Sequence, residues 1–193
     1  MHPYDGEFLF SARPTPEHRS RPNGRTGSEF SRTASDQADA FRLAMRQVAT
    51  SVAIVTTVDD GVDYGMTATA FASVSMAPPT LLIIVNEMAA IYRPLSESGR
   101  FCLNILDEGQ EHVARRFAAQ PSDQSRFQIG EWVRDCSQPA RLLCARGWIN
   151  CIVEIAIPAG THSIFLGTVT GAHSRDAGAP LLYLDGRYAC VRD

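Results

Sequence analysis

Gly65-Met-Thr-Ala-Thr-Ala-Phe-Ala-Ser-Val-Ser-Met-Ala-Pro-Pro-Thr-Leu-Leu-Ile-Ile-Val-Asn86 is the stretch on which the reading of this chain turns. Small and hydroxylated residues fill its first half, from Thr67 to Ser75. Such a run leaves room for a flat ligand and brings backbone N–H groups and hydroxyls close to it. The β-branched share and the lack of helical periodicity predict strand. Pro78-Pro79 should break the ladder, because proline has no N–H to donate. Thr80–Val85 then reads as an apolar strand, far too short to span a membrane.

Composition narrows the classes. A chain of 193 residues with 45% apolar and 20% charged residues has room for one full core and reads as an ordinary globular protein. A formal charge of −3 gives no electrostatic reason to expect nucleic acid or an anionic membrane as partner. All 18 basic residues are arginine, so a cationic side chain that holds a phosphate must be a guanidinium. The five cysteines form no C-x-x-C pair, which suits buried thiols in a reducing cytoplasm. No basic segment followed by an apolar core opens the chain, so a cytoplasmic location is expected. No histidines stand at metal-ligand spacing, and no metal is expected.

Taken in order, residues 1–38 read as a polar, weakly ordered tail and residues 39–193 as one domain. Asp39–Thr50 fits a short amphipathic helix. Val52–Val58 is a strand, and Asp59-Asp60-Gly61 supplies hairpin-turn chemistry that returns the chain into the Gly65 stretch. Ala89–Ser98 reads as a helix stopped by Gly99, Phe101–Leu106 as a strand, and Gly109–Ala119 as a helix with Val113 and Phe117 on one face. Residues 120–147 show little periodicity. Trp148–Ile157 is expected to be a strand ended by Pro158, followed by strands at His162–Thr170, Leu181–Leu184 and Tyr188–Val191. Many strands with hairpin-length turns argue for an antiparallel barrel, and the absence of G-x-G-x-x-G and Walker loops argues against a Rossmann sheet.

The series M-T-A-T-A-F-A-S-V-S-x-x-P-P-T-L-L resembles the signature of the short-chain NAD(P)H:flavin reductases, including the reductase components of two-component monooxygenases. Gly99–Leu106, Ala114–Ala118, Gly160–Gly167 and Pro180–Tyr188 match in the same order. The resemblance implies a mainly β fold, an antiparallel Greek-key split β-barrel with a few short helices, that binds flavin at a homodimer interface. It implies reduction of FMN or FAD by NADH or NADPH, with the reduced flavin passed to a flavin-dependent monooxygenase.

It also implies roles for particular residues. Asp63, Tyr64, Gly65, Met66, Thr67, Thr69 and Ala70 should contact the isoalloxazine and ribityl groups, with Ile84, Val85 and Asn86 closing the pocket. Ser73 fits as a nearby hydroxyl. The phosphate end should involve Ala90, Ile91, Arg116 and Phe117, although relatives often carry a hydroxyl residue where this chain has Ala89-Ala90. His162 should contact nicotinamide, flavin or both, and Tyr183, Leu184, Asp185, Gly186 and Tyr188 match the segment that touches the pyridine nucleotide. Hydride transfer to flavin needs two flat rings at near-attack distance and donors for the charge that gathers on the reduced ring. The lack of a catalytic triad or carboxylate pair is therefore no objection. Competing readings are a flavoprotein reductase of another acceptor, such as a cob(II)alamin-type corrin, and a flavin-binding protein that never meets NADH.

Overall fold

The computed structural model describes residues 34–119, 123–176 and 178–191. The expected tail, apart from its last residues, lies outside them.

All strand pairings are antiparallel. A helix α1 (Ala34–Met45) precedes a short strand β1 (Thr50–Ser51). Next come β2 (Ala53–Asp59), β3 (Val62–Ala68), β4 (Phe71–Met76) and β5 (Pro79–Asn86). Helix α2 (Tyr92–Ser98), β6 (Arg100–Ile105) and α3 (Glu111–Ala118) follow. The second half holds β7 (Trp132–Asp135), β8 (Gln138–Leu142), β9 (Gly147–Ala159), β10 (His162–Ser174), β11 (Leu182–Leu184) and β12 (Arg187–Ala189).

Seven strands form one sheet in the order β3-β2-β6-β9-β10-β5-β4. Its two edge strands, β3 and β4, are joined by Thr69 and Ala70 alone. Two residues span at most about 10 Å between flanking Cα atoms, so the sheet must roll until its edges meet. It is a barrel with a seam, and the small-residue stretch lies along that seam. One core cluster draws side chains from all around the roll, among them Val55, Ala68, Ile83, Val85, Leu103, Cys151 and Phe165, with Ile91 and Leu95 from the α2 region. A second cluster covers the outer side of β2 and β6 with Val113, Ala114, Phe117, Phe127 and Leu142. Buried on both faces, β2 is apolar or threonine from Ala53 to Val58, and Thr56 and Thr57 pass their hydroxyls to the Ala140 and Arg100 carbonyls at 2.6 and 2.7 Å.

Several boundaries differ from the sequence expectation. The first helix runs over Ala34–Met45 and leaves Phe41 and Leu43 more than 60% exposed. Its apolar periodicity is real, yet nothing among the described residues covers that face. The Pro-Pro break is one turn: the Ala77–Pro78 bond is cis, and Pro79 already begins β5, paired with Met76. Pro158 does not end its strand. It sits opposite Ser163 in β9, beyond Ile152, where β6 stops pairing, so its missing N–H faces a free edge. Two turns match their chemistry: Asp60-Gly61 and Asp185-Gly186 both have positive φ, as two-residue hairpins require. Gly99 closes α2 in the left-handed region, donating its N–H to Leu95 O. Cys102 and Cys151 are buried, and burial pushes both thiols up to about 12, whereas Cys136 and Cys144 are exposed, against the expectation of buried thiols throughout.

Candidate functional site

Residues on one edge of a strand alternate, each pointing its N–H and C=O the same way. The Gly65 carbonyl accepts from Arg126 Nη1 at 2.6 Å and the Asp63 carbonyl from the Gln124 side chain, so these residues present their backbone to the open edge of β3, away from β2. By the same alternation Thr67 does too, and its N–H lies just past the part covered by Gln124 and Arg126. The open stretch of edge therefore begins where the small residues do.

There the seam forms a cleft of about 510 Å³, within the usual range for small-ligand sites. Met66, Thr67, Ala68, Thr69 and Ala70 make one side, and Ile84, Asn86, Ala159, His162 and Ile164 the other. Among the described residues, no charged side chain lines it. The Ile84 N–H donates to Ala70 O at 3.0 Å and the Glu87 N–H to Thr161 O at 3.1 Å, which ties the seam and the β9–β10 turn to β5. Asn86 Oδ1 accepts from the Met88 N–H at 2.8 Å, leaving the amide nitrogen as its available donor. Thr67 is partly committed: its hydroxyl donates to Ala114 O at 2.6 Å and clips α3 to β3. His162 Nδ1 lies 2.9 Å from the Thr161 hydroxyl. When that hydroxyl donates, Nδ1 is the acceptor and the proton sits on Nε2. The site thus combines apolar walls, a backbone edge and a few neutral polar groups. It can hold a flat, uncharged ring and bond its rim, and His162 is its one imidazole among the described residues.

Gly65 shows why the strand needs glycine next to this edge: a Cβ there would lie 2.7 Å from the Phe117 ring. That ring is wedged between Phe127 and Trp132, with centroids 5.1 and 5.2 Å away.

The sequence-derived site residues divide by position. Met66, Thr67, Thr69, Ala70, Ile84, Asn86 and His162 meet in the seam cleft. Val85, Ile91 and Phe117 are core side chains, leaving only their backbone to any ligand. Tyr64 packs partly buried against the first core. Asp63 is buried, and one carboxylate oxygen pairs with Arg134 Nε at 2.5 Å while the other has no partner. Ser73 and Ala90 are exposed outside the cleft. Arg116 is held by Asp123 at 3.2 Å and by the Ser125 hydroxyl.

The 183–188 hairpin is not at the seam cleft within this chain. Tyr183, Asp185 and Gly186 line a separate cleft, also about 510 Å³, together with Arg42, Met45 and Arg46. Arg46 clamps the hairpin turn, with Nε 2.9 Å from Asp185 Oδ1 and its backbone carbonyl accepting from the Asp185 N–H. Tyr188 meets the Tyr183 ring at 5.3 Å and carries the Arg115 guanidinium 5.0 Å above its own ring; burial raises its phenol pKa. Leu184 pairs with Arg187 across the turn.

Ala159 and Ile164 also line the seam cleft and were not anticipated. The signal was the hairpin register, since Ala159 lies opposite His162 and Ile164 is the next residue on its face. Arg126 and Gln124 were missed as well, because side chains that cap a strand edge carry no periodic pattern.

A rolled antiparallel barrel with a cleft at its seam defines the class as a split-barrel protein. Residues 45–192 match the model of the flavin reductase like domain, and the chain belongs to that family. It is 35% identical over 149 residues to the protein of Pseudomonas syringae pv. syringae (strain B728a) named FMN reductase (NADH) RutF, covering 77% of this chain and 84% of that one. It is also 35% identical over 153 residues to the reductase component of the FADH(2)-dependent resorcinol hydroxylase of Rhizobium sp. (strain MTP-10005), covering 78% and 86%. Among solved structures it superposes on BorF, the flavin reductase component of a bacterial two-component tryptophan halogenase. The TM-score is 0.74 at 33% identity, over 81% of this chain and 99% of BorF.

Proposed function

We propose that this protein is an NAD(P)H-dependent flavin reductase that reduces FMN or FAD at the seam cleft and supplies the reduced flavin to a flavin-dependent monooxygenase. The observation that carries this reading is the cleft itself: an uncharged slot with a free backbone edge on one wall and His162 on the other. A bound flavin would itself supply the hydride acceptor, so the chain has only to bind, orient and exclude water. Thr69, Asn86 and the Thr67 N–H offer bonds to the ring edge or ribityl chain; Met66, Ala70, Ile84 and Ile164 supply the apolar faces. Arg116, already oriented by Asp123 and Ser125, is the guanidinium for the phosphate. Tyr183, Asp185 and Gly186, with Arg42 and Arg46 beside them, offer an aromatic ring and cations suited to a pyridine nucleotide. Steady-state NADH oxidation measured with and without added flavin tests the activity, and oxidation that ignores added flavin would contradict it.

His162 is assigned a binding role toward nicotinamide, flavin or both. His162→Ala should weaken NADH binding or slow flavin reduction several-fold, the effect of one lost neutral hydrogen bond at about 0.5–1.5 kcal/mol, with flavin affinity nearly unchanged. A loss of ~10²–10⁴-fold in stopped-flow reduction would mark a general base instead. Unchanged rates and NADH affinity would remove His162 from the site.

The working unit is a homodimer. Ile155, Ile157, Val74 and Met76 are 44–80% exposed. Ile155 and Ile157 stand directly across from Leu166 and Ile164, and these in turn from Leu82 and Ile84. Cross-strand partners share a face, so this is one apolar patch, and it runs into the seam cleft through Ile84 and Ile164. A second copy seated there would bury roughly 2,000 Å² or more and roof the cleft. Light scattering should find a dimer at assay concentration; a fully active monomer would contradict this.

A further inference from the structure

His162 opens β10, directly after the exposed Gly160-Thr161 turn that joins it to β9. A ring that meets a ligand has to be held closely, and a strand end beside an exposed turn needs an anchor to do so. Glu87 supplies one, because it contacts the chain on both sides of His162. Its backbone N–H donates to Thr161 O at 3.1 Å. Its carboxylate accepts from the Ser163 hydroxyl, with Oε1 3.0 Å from Oγ. The Thr161 hydroxyl in turn lies 2.9 Å from His162 Nδ1. Asn86, the residue before Glu87, is the cross-strand partner of His162.

Alternation along the strands separates ligand contact from support. His162 and Asn86 line the seam cleft, whereas Ser163 and its partner Val85 face the other way, and Val85 belongs to the first core. Ser163 is 2% exposed, so its hydroxyl needs partners. The Tyr92 hydroxyl lies 3.2 Å from Ser163 Oγ, and the Tyr92 ring packs edge-on against Phe165. Ser163 has one proton and a carboxylate can only accept, so Ser163 donates to Glu87 and Tyr92 donates to Ser163. The chain from Tyr92 through Ser163 ends on a charge, the stronger kind of hydrogen bond. Glu87 has no ion pair among the described residues, so no arginine there competes with Ser163 for the carboxylate.

We propose that Glu87 is a positioning residue for His162: by holding residues 161 and 163 it fixes the imidazole at the seam cleft. The inference rests on the reading of His162 as a binding residue there. It gives Glu87 no contact with nicotinamide or flavin and no proton to transfer.

The test is anaerobic stopped-flow reduction of the flavin-loaded protein by NADH. It is run on Glu87→Ala, Glu87→Gln, His162→Ala and the variant carrying both alanines. Glu87 is exposed, so its replacement leaves the fold intact. Glu87→Ala should slow reduction or weaken NADH binding several-fold, and by no more than His162→Ala, since it acts through that ring. Glu87→Gln keeps an oxygen acceptor for Ser163 and should recover most of the loss. In the His162→Ala background, Glu87→Ala should change the rate by less than about two-fold, because the ring it positions is already gone. Wild-type rate and NADH affinity in Glu87→Ala, with His162→Ala impaired, would overturn this inference alone. So would Glu87→Gln as slow as Glu87→Ala, which would mark the charge itself, or undiminished slowing by Glu87→Ala in the double variant. Loss of flavin binding in Glu87→Ala would overturn it too, by placing the residue at the flavin. Wild-type behaviour in His162→Ala would remove both this inference and the reading on which it rests.

Discussion

Thr69→Trp should abolish flavin binding, at least a 100-fold loss in titration, while the barrel stays folded. Thr69 is one of the two residues that carry the chain from β3 to β4, outside either ladder, so a large side chain there disturbs no strand pairing. It does project a bulky indole into a cleft whose neighbours on that side are Ala68 and Ala70. The walls cannot retreat, because Ala68 belongs to the first core and Ala70 O is bonded by the Ile84 N–H. Circular dichroism and the thermal midpoint should match wild type within a few degrees. A folded variant with an unchanged flavin titration would place the ligand elsewhere.

Arg126→Met should have the largest effect on stability. Arg126 is 3% exposed, and its guanidinium donates to Gly65 O at 2.6 Å, Ala119 O at 2.9 Å and Phe117 O at 3.5 Å. It therefore joins the C-terminal end of α3 to the open edge of β3, with its plane 5.5 Å from the Phe117 ring centre. Burial lowers its pKa, yet a guanidinium remains charged, and cations are favoured at a helix C-terminus. Methionine keeps much of the volume and strands buried carbonyls, at about 1.5–3 kcal/mol for the charged hydrogen bonds involved. For a domain of this size that corresponds to a fall in melting temperature of roughly 5–10 °C. Flavin affinity should fall too, because the Met66–Thr67 edge begins one residue beyond the carbonyl that Arg126 holds. A melting temperature and flavin affinity both equal to wild type would show that the edge is fixed by other contacts.

These two positions mark what the sequence could and could not convey. The hydrophobic runs of β2, β5 and β6 and the turn residues at Asp60-Gly61 and Asp185-Gly186 carry local signals, so the barrel's strands were legible. The seam was partly so. The Gly65 stretch reads as strand, but its division into two strands at Thr69-Ala70 depends on how the whole sheet rolls. Met66, Thr67, Thr69, Ala70, Ile84, Asn86 and His162 were named through the family resemblance, and the fold brings them together. Tyr183, Asp185 and Gly186 were named the same way and line a separate cleft, which no spacing in the chain announces. Residues 120–147 were opaque for a physical reason: Gln124, Arg126 and Arg134 act through single side chains on the backbone or carboxylate of β3, and such contacts leave no periodicity. The first helix misled in the other direction, since an amphipathic pattern promises a cover without saying which molecule provides it.

The central claim is that flavin is reduced by NADH at the seam. Anaerobic stopped-flow mixing of NADH with the flavin-loaded protein, followed by the visible absorbance of the oxidised flavin, tests it most directly. Wild type should bleach the flavin far faster than NADH reduces free flavin in buffer, and Thr69→Trp should fall to the buffer rate. Bleaching no faster than free flavin in wild type, or equally fast in Thr69→Trp, would contradict the account.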